Sequence, residues 1–263
     1  LTSAEQWLRK AAELTPRDFR VQERLGLLFQ ASGRKEEAEK AFALSAELHQ
    51  SDTQATQVAL DCAQKLETQP LEEARGFCQH LFDPQDVEKL VTLGMLYGQH
   101  GDYADAVEPF RRATELEPDS YELQYDLGLT YFRLKRYNEA RAPLEKAVEL
   151  RADVFEVNAP LGAALFALGD DLHAYHVLSK AHQLNPENAD VKGLLFNVAT
   201  LLAQQSLNNK IYTDALRYLR RAAELRPDEA NTHRCLADVY LALGDKAKAE
   251  KEREKAHWLE YGP

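Results

Sequence analysis

The sequence predicts an all-α protein, a stack of helical hairpins repeated along the chain. Three observations carry that expectation. Residues 87–120 and 121–154 align without a gap over 34 residues each, sharing Glu88/Glu122, Leu93/Leu127, Gly94/Gly128, Tyr97/Tyr131, Tyr103/Tyr137, Ala106/Ala140, Pro109/Pro143, Ala113/Ala147 and Leu116/Leu150. Self-similarity at a fixed period of this length marks a repeat array. Within each segment the apolar positions recur at steps of three and four, the period of a helix with one buried face. Turn signals then fall at regular places: Gly33-Arg34, Gly101-Asp102, Gly169-Asp170 and Gly244-Asp245 inside segments, and Pro118-Asp119-Ser120, Pro186-Glu187-Asn188 and Pro227-Asp228-Glu229 between them. Glycine supplies the left-handed residue that ends a helix, and the Pro-led triplets stop one helix and cap the next.

Taken in order, residues 1–18 read as the second half of a unit, with Ala4, Leu8, Ala11 and Pro16 in place, and Trp7 and Leu8 on a helix without its partner. The chain opens at Leu1 without a Met or a basic-then-apolar leader, and is read as a fragment or processed product whose compartment stays open. Residues 19–52 form a unit with Leu25, Gly26, Phe29, Gly33, Ala38, Phe42 and Leu48. Residues 53–86 have the right length, but Ala74 sits two residues late and the register of residues 53–65 is left unassigned. After the two matched units, residues 155–188 keep Leu161, Gly162, Gly169, Ala174, Leu178, Ala181 and Pro186, while Pro160 predicts a kink. Residues 189–229 carry about seven extra residues, placed around 202–211. They are expected to lengthen both helices by a turn each, or to make a polar loop of Gln204-Gln205-Ser206-Leu207-Asn208-Asn209. Residues 230–263 keep Leu236, Tyr240, Gly244, Asp245, Ala249 and Ala256. Arg253 stands where earlier units have Phe or Leu, so the last helix reads as a solvated end.

Each unit has a packing logic. Its first helix presents a large residue, Leu, Gly and an aromatic on one face, as in Leu90, Leu93, Gly94 and Tyr97. Its second helix answers small, large, small with Ala106, Phe110 and Ala113. The glycine lets the helices approach, and large side chains fill the space beside small ones.

Leu93-Gly94, Tyr97, Ala106, Phe110, Ala113 and Pro118 resemble the tetratricopeptide consensus in type, order and spacing, and the resemblance runs over essentially the whole chain. It implies a right-handed superhelix of about seven and a half hairpins in one array, first helices lining a concave face and second helices outside. It also implies a protein-interaction module without catalysis, which binds a peptide or protein segment in that groove. A structural spacer or self-association domain, and the recruiting arm of a multidomain enzyme, are the other uses of the scaffold.

Composition limits the function further. With 32 Lys and Arg against 43 Asp and Glu, the formal net charge is -11. Such a surface repels phosphate backbones and argues against nucleic acid as a partner. No apolar run is long enough to insert into a membrane. Cys62, Cys78 and Cys235 are odd in number and lack CxxC spacing, so they read as three half-buried thiols. His173 and His176 share a helix face, but no Cys or carboxylate pattern completes a metal site around them or His182. No catalytic, cofactor-binding or phosphate-binding motif is found, so no cofactor, metal or catalytic residue is expected.

The expected site is therefore the inner face of the first helices. The peptide-binding candidates are Met95, Tyr125, Leu129, Phe132, Ala159, Ala163, Phe166, Asn197 and Arg234. They combine an apolar centre over a shallow floor with a polar C-terminal part, suited to an apolar or basic segment. Glu88, Glu122, Glu156 and Asp190 form an expected acidic row, one per unit, that would steer a basic peptide. Chaperone-binding members of the family hold an acidic chain terminus with a clamp of Lys, Asn and Arg. Here the matching places hold Val91, Met95, Asp126, Glu156 and Pro160, so the resemblance does not extend to that clamp.

Overall fold

The computed structural model describes residues 2–262. Among them the regular structure is helical: α1 (Thr2–Leu14), α2 (Phe19–Ala31), α3 (Lys35–Thr68), α4 (Leu71–Cys78), α5 (Val87–His100), α6 (Tyr103–Leu116), α7 (Tyr121–Arg133), α8 (Tyr137–Leu150), α9 (Phe155–Ala167), α10 (Asp171–Leu184), α11 (Ala189–Asn208), α12 (Tyr212–Leu225), α13 (Ala230–Ala242) and α14 (Lys246–Tyr261), with a 3₁₀ turn over Gln79–Leu81 after α4. The protein is all-α, as expected. Two compact units divide it, residues up to 100 and residues from 101 on.

In the second unit, α7 pairs with α8, α9 with α10, α11 with α12 and α13 with α14, and each hairpin packs on the next. The reason lies in one pair of residues. An added Cβ at Gly128 would stand 2.7 Å from Leu144 Cγ, and one at Gly162 would stand 2.7 Å from Leu178 Cγ. The missing side chain is what lets α7 meet α8, and α9 meet α10, so closely. Ala140, Ala147, Ala174 and Ala181 flank these large residues and are fully buried. In α11 and α12 the same roles fall to Ala203 and Leu219, both buried.

The turns inside hairpins share one geometry. Gly33, Gly169 and Gly244 adopt φ of 75°, 77° and 84°, and where the sequence lacks glycine, Lys135 and Lys210 take φ of 58° and 57°. In each, the following N–H reaches back to a carbonyl five residues earlier: Arg34 to Phe29, Arg136 to Tyr131, Asp170 to Leu165, Ile211 to Ser206 and Asp245 to Tyr240, at 2.8–3.0 Å. This is the Schellman closure, which satisfies carbonyls that the helix end would leave bare.

Four expectations need correction. The extra residues of 189–229 neither form a loop nor divide between two helices. They all enter α11, which has 20 residues against 13 in α9, while α12 keeps 14. Leu202, Ala203 and Ser206 are buried on the hairpin-facing side, so the helical period continues through the polar letters and the added turns lie before Leu202. The 52/53 boundary marks no turn, because α3 runs 34 residues straight through it. Pro160 does not interrupt α9, which continues on both sides of it. The cysteines are not three free thiols: Cys62 and Cys78 are disulfide-bonded across α3 and α4, leaving Cys235 free. The bond forms because α4 turns back along α3 and brings residues 16 apart in sequence face to face.

In the first unit, α2 packs on α3, α1 packs on α2, and α5 lies against α3. Leu25, Phe29, Ala38 and Ala41 form its core, with Leu8, Ala12, Leu28 and Phe42 packed around them. Trp7 on α1 is 74% exposed.

Candidate functional site

Within the second unit, α7 lies against α9 and α9 against α11, so the first helices are direct neighbours. Tyr125, Leu129 and Phe132 on α7, and Ala159, Ala163 and Phe166 on α9, are all half-buried. They are neither core nor free surface. Phe132 also packs on Tyr137 with ring centroids 5.6 Å apart, and Tyr125 stacks on Tyr121 at 6.0 Å. Both Tyr pairs fix aromatic rings in place, which lowers the entropy an occupant must take from them.

The acidic positions are unlike one another. Glu122 is exposed and pairs with Arg151 at 2.8 Å. Glu156 is exposed on α9, and Asp190 is exposed in the first turn of α11. Measured from the buried small residue of each hairpin, Asp190 lies two helical turns before the place that Glu122 and Glu156 occupy; Asn197 stands there. Asp126 was not among the expected acids, yet it is the most perturbed. Burial, with the Glu122 carboxylate beside it, pushes its pKa up to about 6. No hydrogen bond or cation reaches its carboxylate among the described residues. The available signal in sequence was an acid one position past an inner-face aromatic, Tyr125-Asp126.

Further along, a cleft of about 310 Å³ opens between α11, α12 and α13. Asn197, Thr200, Gln204, Leu207, Asn231 and Cys235 line it. The lining is neutral and rich in carboxamides, which can both donate to and accept from a peptide backbone. Burial is the main cause that pushes the Cys235 thiol up, which keeps it protonated and slow to react. Arg234 is not itself among the residues that line this cleft. It is exposed, pairs with Glu260 of α14 and donates to Asn231 at 3.3 Å.

Met95 and Glu88 lie in the first unit, on α5. Met95 is 47% exposed. Glu88 and Thr92 border a cleft of about 290 Å³ that also touches Thr56 and Ala59 of α3. The ion pair of Arg17 with Asp86, and Lys89 with Asp83 at 3.3 Å, close one side of it. Of the histidines, His173 is held by Asp170 at 2.8 Å. Among the described residues no three ligating side chains gather into a metal site, and no helix is long and apolar enough to cross a membrane.

Residues that sequence reasoning passed over tie each hairpin to the loop before it. Gln124 Nε2 donates to Pro118 O at 2.7 Å, and Asn158 Nδ2 donates to Ala152 O at 2.9 Å and Val154 O at 2.7 Å. His233 Nε2 lies 3.0 Å from Pro227 O. Each of these side chains is buried, four residues before the small residue of its hairpin, and each reaches a carbonyl six residues back.

No curated protein matches the chain. Solved structures similar to it include the MamA protein, at 22% identity over 66% of this chain and 91% of that one, with a TM-score of 0.45. YrrB, a TPR protein with an unusual peptide-binding site, is 21% identical over 67% and 88%, with a TM-score of 0.46. The first TPR of Spaghetti (RPAP3), bound to the HSP90 peptide SRMEEVD, is 26% identical over 46% and 96%, with a TM-score of 0.42. Residues 91–154 and 202–256 match the tetratricopeptide repeat family model, the second match starting at the Leu202-Ala203 pair that packs on α12. The chain is a tetratricopeptide-repeat protein.

Proposed function

We propose that the second unit holds a segment of a partner protein along the inner face of α7, α9 and α11, and that the segment is apolar with basic residues beside its apolar core. The reading assigns the unit binding and no reaction. The observation that carries it is the run of half-buried Tyr125, Leu129, Phe132 and Phe166 on adjacent first helices, with Ala159 and Ala163 between them. An occupant would finish burying these side chains, at roughly 25 cal/mol for each Å² of apolar surface removed from water. The small alanines leave room for its backbone. Glu122, Asp126 and Glu156 border the run and favour Lys or Arg on the occupant over Asp or Glu. The amides of Asn197, Gln204 and Asn231 are suited to its main chain where it continues.

The test is to pan a displayed peptide library on the wild-type chain and on Tyr125→Ala with Phe166→Ala. Enriched peptides should be apolar with Lys or Arg. The double variant should bind them about tenfold more weakly or worse, with helical circular dichroism unchanged. A bound peptide should also slow alkylation of Cys235. Peptides that bind the double variant as tightly as wild type would end the groove assignment and leave the passive spacer as the better reading.

A further inference from the structure

We infer that the Cys62–Cys78 bond takes the place of the glycine-against-large-residue interlock in the α3/α4 hairpin, so that this hairpin is completed by oxidation in a compartment that supports disulfides. The argument starts from register. In other hairpins the small residue of the first helix and the large residue of the second are sixteen apart: Gly26 and Phe42, Gly128 and Leu144, Gly162 and Leu178. Cys62 and Cys78 have the same separation of 16. The neighbours agree. Twelve residues after the small position stands a buried alanine in each case, Ala38, Ala140, Ala174 and here Ala74. Both cysteines are 0% exposed, so the bond sits where the interlock would sit and not on the surface.

The rest of this hairpin lacks what the others have. Its large position holds no Phe or Leu, its helix α4 has eight residues, and α3 beyond residue 52 buries only Cys62 and Leu66. With two thiols in place of the bond, nothing large fills the gap between the helices. The covalent link also shortens the excursions of the unfolded chain, which favours the folded state. The chemistry requires an acceptor. One Cys thiolate attacks the disulfide of a thiol–disulfide oxidoreductase and forms a mixed disulfide. The second Cys thiolate then displaces the oxidoreductase sulfur. The Sγ–Sγ bond forms, and the oxidoreductase leaves as a dithiol that carries the two electrons and takes up two protons in place of those the two cysteines gave up. Such acceptors act in oxidising compartments, and cytosolic thiols are ordinarily kept reduced.

Two measurements test this. Protein from the native source, with thiols trapped by N-ethylmaleimide at lysis and then unfolded without reductant, should on peptide mapping carry an adduct at Cys235 and none at Cys62 or Cys78. Adducts at all three positions would overturn the oxidation. Separately, Cys62→Ala with Cys78→Leu rebuilds the pairing seen at Ala203 and Leu219, whereas Cys62→Ser with Cys78→Ser does not. Under dithiothreitol, the Ala/Leu variant should melt at or above reduced wild type; without reductant, the Ser/Ser variant should melt about 5 °C or more below the oxidised protein. An Ala/Leu variant no more stable than Ser/Ser would overturn the positional equivalence.

Discussion

The α3/α4 and α7/α8 hairpins solve one problem in two ways. In α7/α8 the first helix gives up a side chain at Gly128, and Leu144 fills the space; even a Cβ would come within 3.1 Å of the Leu144 backbone nitrogen. In α3/α4 both positions keep a side chain, and the helices are joined through sulfur with Cα atoms 5.0 Å apart. The second helix of the first pair is buried through Ala140, Pro143, Leu144 and Ala147; that of the other through Ala74 and Cys78 alone. What the repeat conserves across these hairpins is thus a register between two positions, sixteen residues apart, and not a residue type. One hairpin meets it by shape, the other by a bond.

The largest effect should come from attacking shape where it is tightest. Gly128→Val places a branched side chain against Leu144 and its backbone, and is expected to cost about 3 kcal/mol. Urea unfolding followed by far-ultraviolet circular dichroism measures it. Adding Leu144→Ala should return a large part of the loss, because the tightest contacts are with that side chain; no return would mean the interlock is not what brings the helices together. Next comes the polar tie. Asn158→Leu removes two hydrogen bonds and leaves the carbonyls of Ala152 and Val154 without this donor, an expected loss of about 2 to 3 kcal/mol. The α3/α4 hairpin has Val58 at the matching position, so it carries no such tie.

How much of this could be read beforehand follows from the same two hairpins. Gly33, Gly101, Gly169 and Gly244 were placed correctly in left-handed turns because only glycine takes that conformation readily. The Leu-Gly-aromatic faces were legible for the same reason: their chemistry and their spacing agree. The disulfide was not legible, since a 16-residue spacing of cysteines means nothing until the hairpin register is known. That register was two residues out, because nothing at Gln50-Ser51-Asp52 breaks the helix and α3 passes through it. The polar letters of Gln204 to Asn209 left open a loop or a turn added to each helix, while the buried Leu202, Ala203 and Ser206 show the period that runs on within one helix. The inner-face candidates could be placed on a helix face, but their half-burial depends on neighbouring helices and has no counterpart in local sequence.

Asp126 sharpens the comparison from the side of unmet polarity, since Gln124, two residues earlier, donates to Pro118 O. Its folded pKa, raised from an ordinary 3.8 to about 6, means that the native state binds the proton more tightly than the unfolded chain. The contribution of this group should therefore be full below about pH 3.8 and be lost as pH rises through 6. At about 1.4 kcal/mol per unit, reduced because the group keeps some solvent, the change is about 2 kcal/mol. Asp126→Asn should remove it: more stable than wild type at pH 7.5, no more stable at pH 4. Equal gains at both pH values would place the effect in packing instead of charge.

The smallest effect makes the sharpest contrast. Gly76 lies in the last helical turn of α4, with nothing within 4 Å of the place where a Cβ would go. It has no turn to serve and no partner to admit. Gly76→Ala should stabilise the protein by about 0.5 to 1 kcal/mol, because glycine loses more chain entropy than alanine on entering a helix. Gly128→Ala, the same change in another helix, should destabilise it, since the new Cβ meets Leu144 at 2.7 Å. Opposite signs in one denaturation series would separate a glycine that the interlock requires from one it has left idle. A stabilising Gly128→Ala would show that α7 and α8 can part slightly at little cost, and would weaken the claim that shape alone holds that hairpin where a disulfide holds the other.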